Sequence, residues 1–215
     1  MTSSHTNQKA LLTAAMDALF RTFDEDVMRR LYREDYIQHN PNVPTGLEPV
    51  IGLLPALRAA GFDYQTHRMI EDGDLILTHT TYSNAQVFGA DTVVAFDLWR
   101  MEGSQVAEHW DAIIPIHTET ASGRSQTDGM TEIVDLERTE ANKNLVEAFV
   151  RQVLIAGDVA QMSSFFKDGR YDQHNPVVKD GPDALANALK KISNDRIHRV
   201  LQEIPQEMAH SNGMF

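Results

Sequence analysis

A duplicated segment constrains this chain more than any other feature. Tyr36-Ile37-Gln38-His39-Asn40-Pro41 returns 135 residues later as Tyr171-Asp172-Gln173-His174-Asn175-Pro176, with five of six positions identical. The same offset carries Gly46 onto Gly181. Ahead of the first copy, Leu11, Leu12, Ala15, Met16, Leu19, Phe20 and Phe23 recur at helical spacing, and Leu145, Ala148, Phe149, Val153 and Leu154 do the same before the second. Behind each copy comes a short helical stretch, residues 47–60 and 183–192. His67-Arg68-Met69 then finds an echo in His198-Arg199-Val200. A series of matches in the same order reads as a repeated unit. The segment Thr118–Arg138, rich in Ser, Thr, Gly and acidic residues, reads as the linker. Its Thr127-Asp128-Gly129-Met130 resembles the terminal Ser211-Asn212-Gly213-Met214, so both units are expected to close on the same tail. The expected domains are 1–130 and 131–215.

The copies differ in length. His67 and Pro115 stand 48 positions apart, His198 and Pro205 only 7. The extra residues of the first unit encode strands. Leu75–Tyr82, Thr92–Met101 and Val106–Ile114 are β-branched and aromatic runs, split by Asp72-Gly73, Gly89-Ala90-Asp91 and Glu102-Gly103-Ser104, and the last two read as a hairpin. The first unit is therefore α+β, helices followed by a curved antiparallel sheet. The second is a partial helical repeat without most of that sheet, and its stripe of Leu145, Phe149, Val153, Phe165 and Phe166 needs a cover.

Composition removes several classes of function. A formal charge of −12 with no Lys/Arg block gives no electrostatic reason to bind nucleic acid or an anionic membrane. No run approaches the ~20 apolar residues of a membrane span, and the start lacks the form of a secretory leader. Zero cysteines exclude disulfides, thiolate metal sites and cysteine nucleophiles. There is no Gly-x-Gly-x-x-Gly, phosphate loop or Gly-x-Ser-x-Gly elbow. Although nine histidines are present, they form no His-x-x-x-His pair. The expectation is a cytoplasmic protein without metal or cofactor.

The stretch His39-Asn40-Pro41…Gly46, with the later strand Glu108-His109-Trp110-Asp111 and the order helices–loop–helix–strands, resembles the SnoaL-like polyketide cyclase family of the nuclear transport factor two-like superfamily. The resemblance covers nearly all of residues 8–130. It implies a cone-shaped sheet closed by N-terminal helices, pairing of two chains sheet to sheet, and an acidic acid/base residue on this part of the sheet. It leaves the reaction open, because the superfamily hosts isomerases, dehydratases, epoxide hydrolases, cyclases and binding domains.

Strand alternation puts Ala107, His109, Asp111 and Ile113 on one face and Val106, Glu108, Trp110 and Ala112 on the other. With the first set inward, an imidazole and a carboxylate share a hollow, a pairing suited to removing a proton beside a carbonyl and returning it to an alkoxide. Burial would raise that carboxylate's pKa toward useful values. The resemblance favours Asp111 as the acid/base, with His109, His39 and Asp97 positioning it or relaying protons. Asp111 and Asp97 could instead face water or pair with arginine. The recurrence of His39 as His174 also fits a structural loop role. Trp99, Trp110, His79, Tyr82, Met16 and Phe20 are candidate substrate contacts. His79 and Tyr82 fall on opposite faces, so at most one lines the hollow, and tryptophans or methionines there serve equally as core. The substrate class is a small apolar carbonyl compound, for aldol-type cyclisation, isomerisation or dehydration. The opposing reading is a non-catalytic ligand-binding or dimerisation module on the same fold.

Overall fold

The computed structural model describes residues 7–191, so His198-Arg199-Val200, Pro205 and the terminal tail lie outside the described residues. It divides into two compact units, 1–116 and 117–215. The segment expected as a linker hydrogen bonds within the second unit, through Ala121 N–H to Pro176 O (2.8 Å) and Ser122 Oγ to Gln173 O (2.7 Å). Among the described residues, no helix is long and apolar enough to cross a membrane.

In the first unit, α1 (Gln8–Phe20) is capped by the Asn7 side chain, which accepts from Ala10 N–H (3.0 Å). It buries Leu12, Ala15, Met16, Leu19 and Phe20, the face its spacing indicates. The acidic run that follows starts α2 (Glu25–Leu31). Asp24 accepts from Val27 N–H, and Glu25 and Asp26 occupy the first turn, where the helix dipole favours negative charge. After β1 (Tyr32–Gln38), the helix expected over 47–60 is two, α3 (Leu47–Ile51) and α4 (Leu54–Ala60). The break has a covalent cause. Pro55 lacks an N–H and is tolerated only in a first turn, so a new helix starts at Leu54.

Four antiparallel strands follow: β2 (Asp63–Asp72), β3 (Leu75–Ser83), β4 (Thr92–Glu102) and β5 (Gln105–Pro115). The sheet order is β1-β5-β4-β3-β2, with β1 parallel to β5. The three strands expected from sequence are the central three; the two that were not are the edges. The inner face packs on α1 through Phe20, Phe62 and Tyr82, whose ring centroids lie 5.0–5.4 Å apart.

In the second unit, α5 (Thr139–Phe149) continues through a wider π-type turn, Val150–Ile155, and α6 spans Pro182–Leu189. Phe149 meets Phe165 and Phe166 edge-on, each at 5.5 Å, while Val153 and Met162 are buried and Leu145 stays half exposed.

The two Gln-His-Asn-Pro loops are wired alike. In the first, Gly46 N–H reaches Tyr36 O (2.8 Å), Asn40 N–H reaches Gln38 Oε1 (2.9 Å) and Asn42 N–H reaches Asn40 Oδ1 (2.9 Å). In the second, Gly181 N–H reaches Tyr171 O (2.8 Å), Asn175 N–H reaches Gln173 Oε1 (2.8 Å) and Val177 N–H reaches Asn175 Oδ1 (3.0 Å). Gly46 sits at φ 103°, ψ 157°, a region open essentially to glycine alone. A Cβ there would meet only Pro49 Cδ at 3.6 Å, an ordinary contact. Gly46→Ala is therefore expected to cost about 1–3 kcal/mol through the backbone rather than a clash. Urea unfolding of the variant measures it, and a loss below a few tenths would contradict this geometry.

Candidate active site

Strand register builds the site. Thr78, Asp97 and Asp111 are paired across β3, β4 and β5, and Ile76, Trp99, His109 and Gln38 are paired across β3, β4, β5 and β1. Side chains two apart share a face, so both rows look toward the helices. Asp97 and His109 are 2% and 5% exposed. His109 Nε2 lies 3.2 Å from Asp97 Oδ1, and Nδ1 lies 3.2 Å from Gln38 Oε1. Asp97 Oδ2 accepts from the Tyr82 hydroxyl at 2.9 Å and from Thr78 Oγ1 at 3.5 Å. Trp99 stacks on His109 (centroids 3.9 Å) and donates Nε1–H to Thr78 Oγ1 (3.2 Å). Asp111, half-buried, accepts from Asn40 Nδ2 at 2.7 Å on Oδ2. Its other oxygen has no hydrogen bond among the described residues.

These groups border a cavity of ≈ 40 Å³ whose walls include Leu19 and Phe20 from α1, Tyr36, Gln38 and Asn40, Leu53 and Leu57, Trp99, His109 and Asp111. Burial, with Asp97 close to one and Asp111 to the other, holds the Tyr82 and Tyr36 hydroxyls well above the ordinary tyrosine range. Both are neutral phenols in the cup.

Several sequence expectations need correcting. His39 is on the opposite face of the sheet: its Nε2 meets Glu108 Oε1 at 2.8 Å, its ring stacks on Trp110 at 4.6 Å, and its side chain is 40% exposed. Trp110 shares that outer face and does not line this cavity. His79 is also outside, stacked on the half-exposed Phe96 at 4.3 Å. Tyr82 and Met16 face inward but are core, Tyr82 touching the site through Asp97. Asp111, His109, Trp99 and Phe20 line the cavity, and Asp97 lies behind it against His109. Tyr36, Gln38 and Asn40 belong to the repeated motif but are not among the expected site residues, although the chain alternates there. Continuing that alternation sets Tyr36, Gln38 and Asn40 on one side and Ile37 and His39 on the other.

One ligand atom each from Asp97, His109 and Asp111 lies within 4.8 Å of the others, a set that could in principle approach a cation. The geometry is instead that of a hydrogen-bonded chain. Both ring nitrogens of His109 and both oxygens of Asp97 have protein partners in this arrangement, and the chemistry proposed below is carried by protons alone.

Residues 12–109 match the model of the SnoaL-like domain family. Similar solved structures include IdmH from Streptomyces antibioticus, a candidate polyketide cyclase, at 16% identity over 50% of this chain and 92% of that one, TM-score 0.40. An NTF2-like protein from Cytophaga hutchinsonii matches at 19% over 54% and 96%, TM-score 0.42. An LEH-like epoxide hydrolase from Mycobacterium tuberculosis matches at 17% over 50% and 82%, TM-score 0.41. No curated protein matches the sequence significantly.

Proposed function

We propose, starting from the match of residues 12–109 to the SnoaL-like domain family, that the chain is an acid/base enzyme acting on a small apolar carbonyl compound, with Asp111 moving the proton. One observation carries this reading: a carboxylate at an apolar cavity, held through one oxygen by Asn40 and with the other free of hydrogen bonds among the described residues. In this scheme Oδ1 takes a proton from the carbon beside the substrate carbonyl and returns it to the developing alkoxide. Tyr36 lines the same cavity, is kept protonated by burial, and accepts from Gln38 Nε2 at 3.2 Å. Its own O–H is then the donor for the enolate oxygen. Leu19, Phe20, Leu57 and Trp99 supply the apolar wall that selects for an uncharged substrate.

A second reading, a binding or dimerisation module, has its own support in the cavity's size. About 40 Å³ holds on the order of three waters, well below the ~300 Å³ at which ligand sites begin, so substrate enters only if the lining parts. Incubating the protein with 1,3-dicarbonyl compounds in D2O, read by NMR, separates the two. Enzyme-dependent exchange or loss of the acidic C–H is expected, and rates equal to buffer across the panel would leave only the binding module.

The second unit belongs to this proposal as a shortened copy, supported by the equivalent wiring of its Gln173–Asn175 loop. It offers no counterpart of Asp97, His109 or Asp111 by sequence, so turnover is assigned to the first unit. A homodimer also belongs here. Sedimentation equilibrium reads it, and a mass near 24.2 kDa would remove it.

A further inference from the structure

Building on the reading of Asp111 as the acid/base, we infer that Gln38 is a positioning residue that keeps His109 a hydrogen-bond donor at both ring nitrogens, so that the His109–Asp97 pair is net neutral beside Asp111.

The inference is a count of donors and acceptors. Gln38 cannot turn its amide around. Asn40 N–H points at its oxygen from 2.9 Å, while its NH2 points at the Tyr36 hydroxyl from 3.2 Å. The equivalent Gln173 is held by Asn175 N–H at 2.8 Å, so the orientation belongs to the loop itself. What faces His109 Nδ1 at 3.2 Å is therefore a carbonyl oxygen, which can only accept, and Nδ1 must carry hydrogen. Asp97 Oδ1 faces Nε2 at the same distance, and a second proton has to lie between them.

Three observations place that proton on the ring. Asp97 Oδ2 receives the Tyr82 hydroxyl, a pattern that favours the ionised carboxylate. Thr78, whose oxygen is occupied by Trp99 Nε1–H, directs its own proton to the same Oδ2. The ring lies 3.9 Å from the indole of Trp99, whose face attracts a cation. The titratable groups around His109 are Asp97 from β4, Asp111 from its own strand and, lining the same cavity, Tyr36 from β1; Tyr82 from β3 stands one contact further, at Asp97 Oδ2, and no lysine or arginine lines the cavity.

Two consequences follow for the proposed reaction. Neither nitrogen of His109 presents a lone pair, so His109 is not the base. Asp111 is then the one uncompensated negative group in the cup, spared repulsion from a net charge on the neighbouring pair.

The test needs no substrate, so it stands or falls apart from turnover. In long-range 1H–15N spectra of 15N-histidine protein near pH 7, with the His109 signals identified by their loss in His109→Gln, both ring nitrogens are expected in the protonated range. Gln38→Leu removes the acceptor at Nδ1 and should lower the doubly protonated share about tenfold, the scale of one charge-assisted hydrogen bond. Gln38→Glu, which still accepts at that position, should restore it. A wild-type ring with one bare nitrogen overturns the inference, whether or not the variants fold. So does a Gln38→Leu spectrum matching wild type, or a second ring proton that appears only after EDTA treatment, which would assign the gap to a cation.

Discussion

Asp111→Asn is expected to lower kcat/KM on the best 1,3-dicarbonyl substrate by about 10²–10⁴-fold, the usual contribution of a positioned acid or base. The unfolding midpoint should hardly move. Asparagine is nearly the same shape and can still offer an oxygen to Asn40 Nδ2, so the hydrogen bond that fixes the side chain at 2.7 Å survives. What disappears is the capacity to hold a proton. The paired control is His39→Ala. His39 belongs to the same loop, yet its contacts are with Glu108 and Trp110 on the outer face. Its loss should cost on the order of 1 kcal/mol of stability, as for a partly exposed hydrogen bond with an added ring contact, and leave turnover within a few-fold. Full activity in Asp111→Asn would remove that residue from the reaction, and a loss in His39→Ala as deep as in Asp111→Asn would contradict the assignment of faces.

That contrast also marks what the sequence made legible. The central strands β3, β4 and β5 stood out because most of the inner face of each is buried or half-buried, which favours β-branched and aromatic runs. The edge strands did not. β1 places Arg33, Glu34 and Asp35 in its middle, and a register irregularity between Tyr32 and Ile37 breaks its period of two. β2 buries only Tyr64 and reads as a polar loop. Charge on an edge protects it from pairing with other sheets, and the same charge erases the strand's signature. Within the site, the inward set of β5 was legible because alternation holds along a regular strand. For His39 two readings stood open, a structural loop residue or a cavity residue, because the motif alone does not say which of its side chains faces inward. β1 ends at Gln38, but His39 N–H still bonds His109 O (3.0 Å), and the side that faces the cavity belongs to Gln38 and Asn40. The family resemblance carried the cup, but it could not say which neighbour of Asp111 holds it in place.

Trp99→Ala should have the largest effect on stability, about 3–5 kcal/mol, the range for removing a fully buried large aromatic. Trp99 is 1% exposed on β4, the middle strand of the sheet, where its ring lies between Ile76 and His109, paired with it on the flanking strands. Deleting it takes away the stack on the His109 imidazole. It also takes away the N–H that orients Thr78 toward Asp97. Against a total of ~5–15 kcal/mol for a domain, that loss is large enough to populate the unfolded state on mild heating. The chain has two tryptophans, so Trp110 remains in the variant as a fluorescent reporter within the same unit. Trp99→Phe separates the two contributions. It keeps most of the apolar filling and a ring against His109 but loses the N–H, so about 1–3 kcal/mol should go, with Thr78 free to turn away from the carboxylate. If Trp99→Ala instead cost less than about 1 kcal/mol in urea, the inner face of the sheet would not be a packed wall. Asp97, His109 and Asp111 would then share no enclosed space in which a carboxylate could be kept ready for proton transfer.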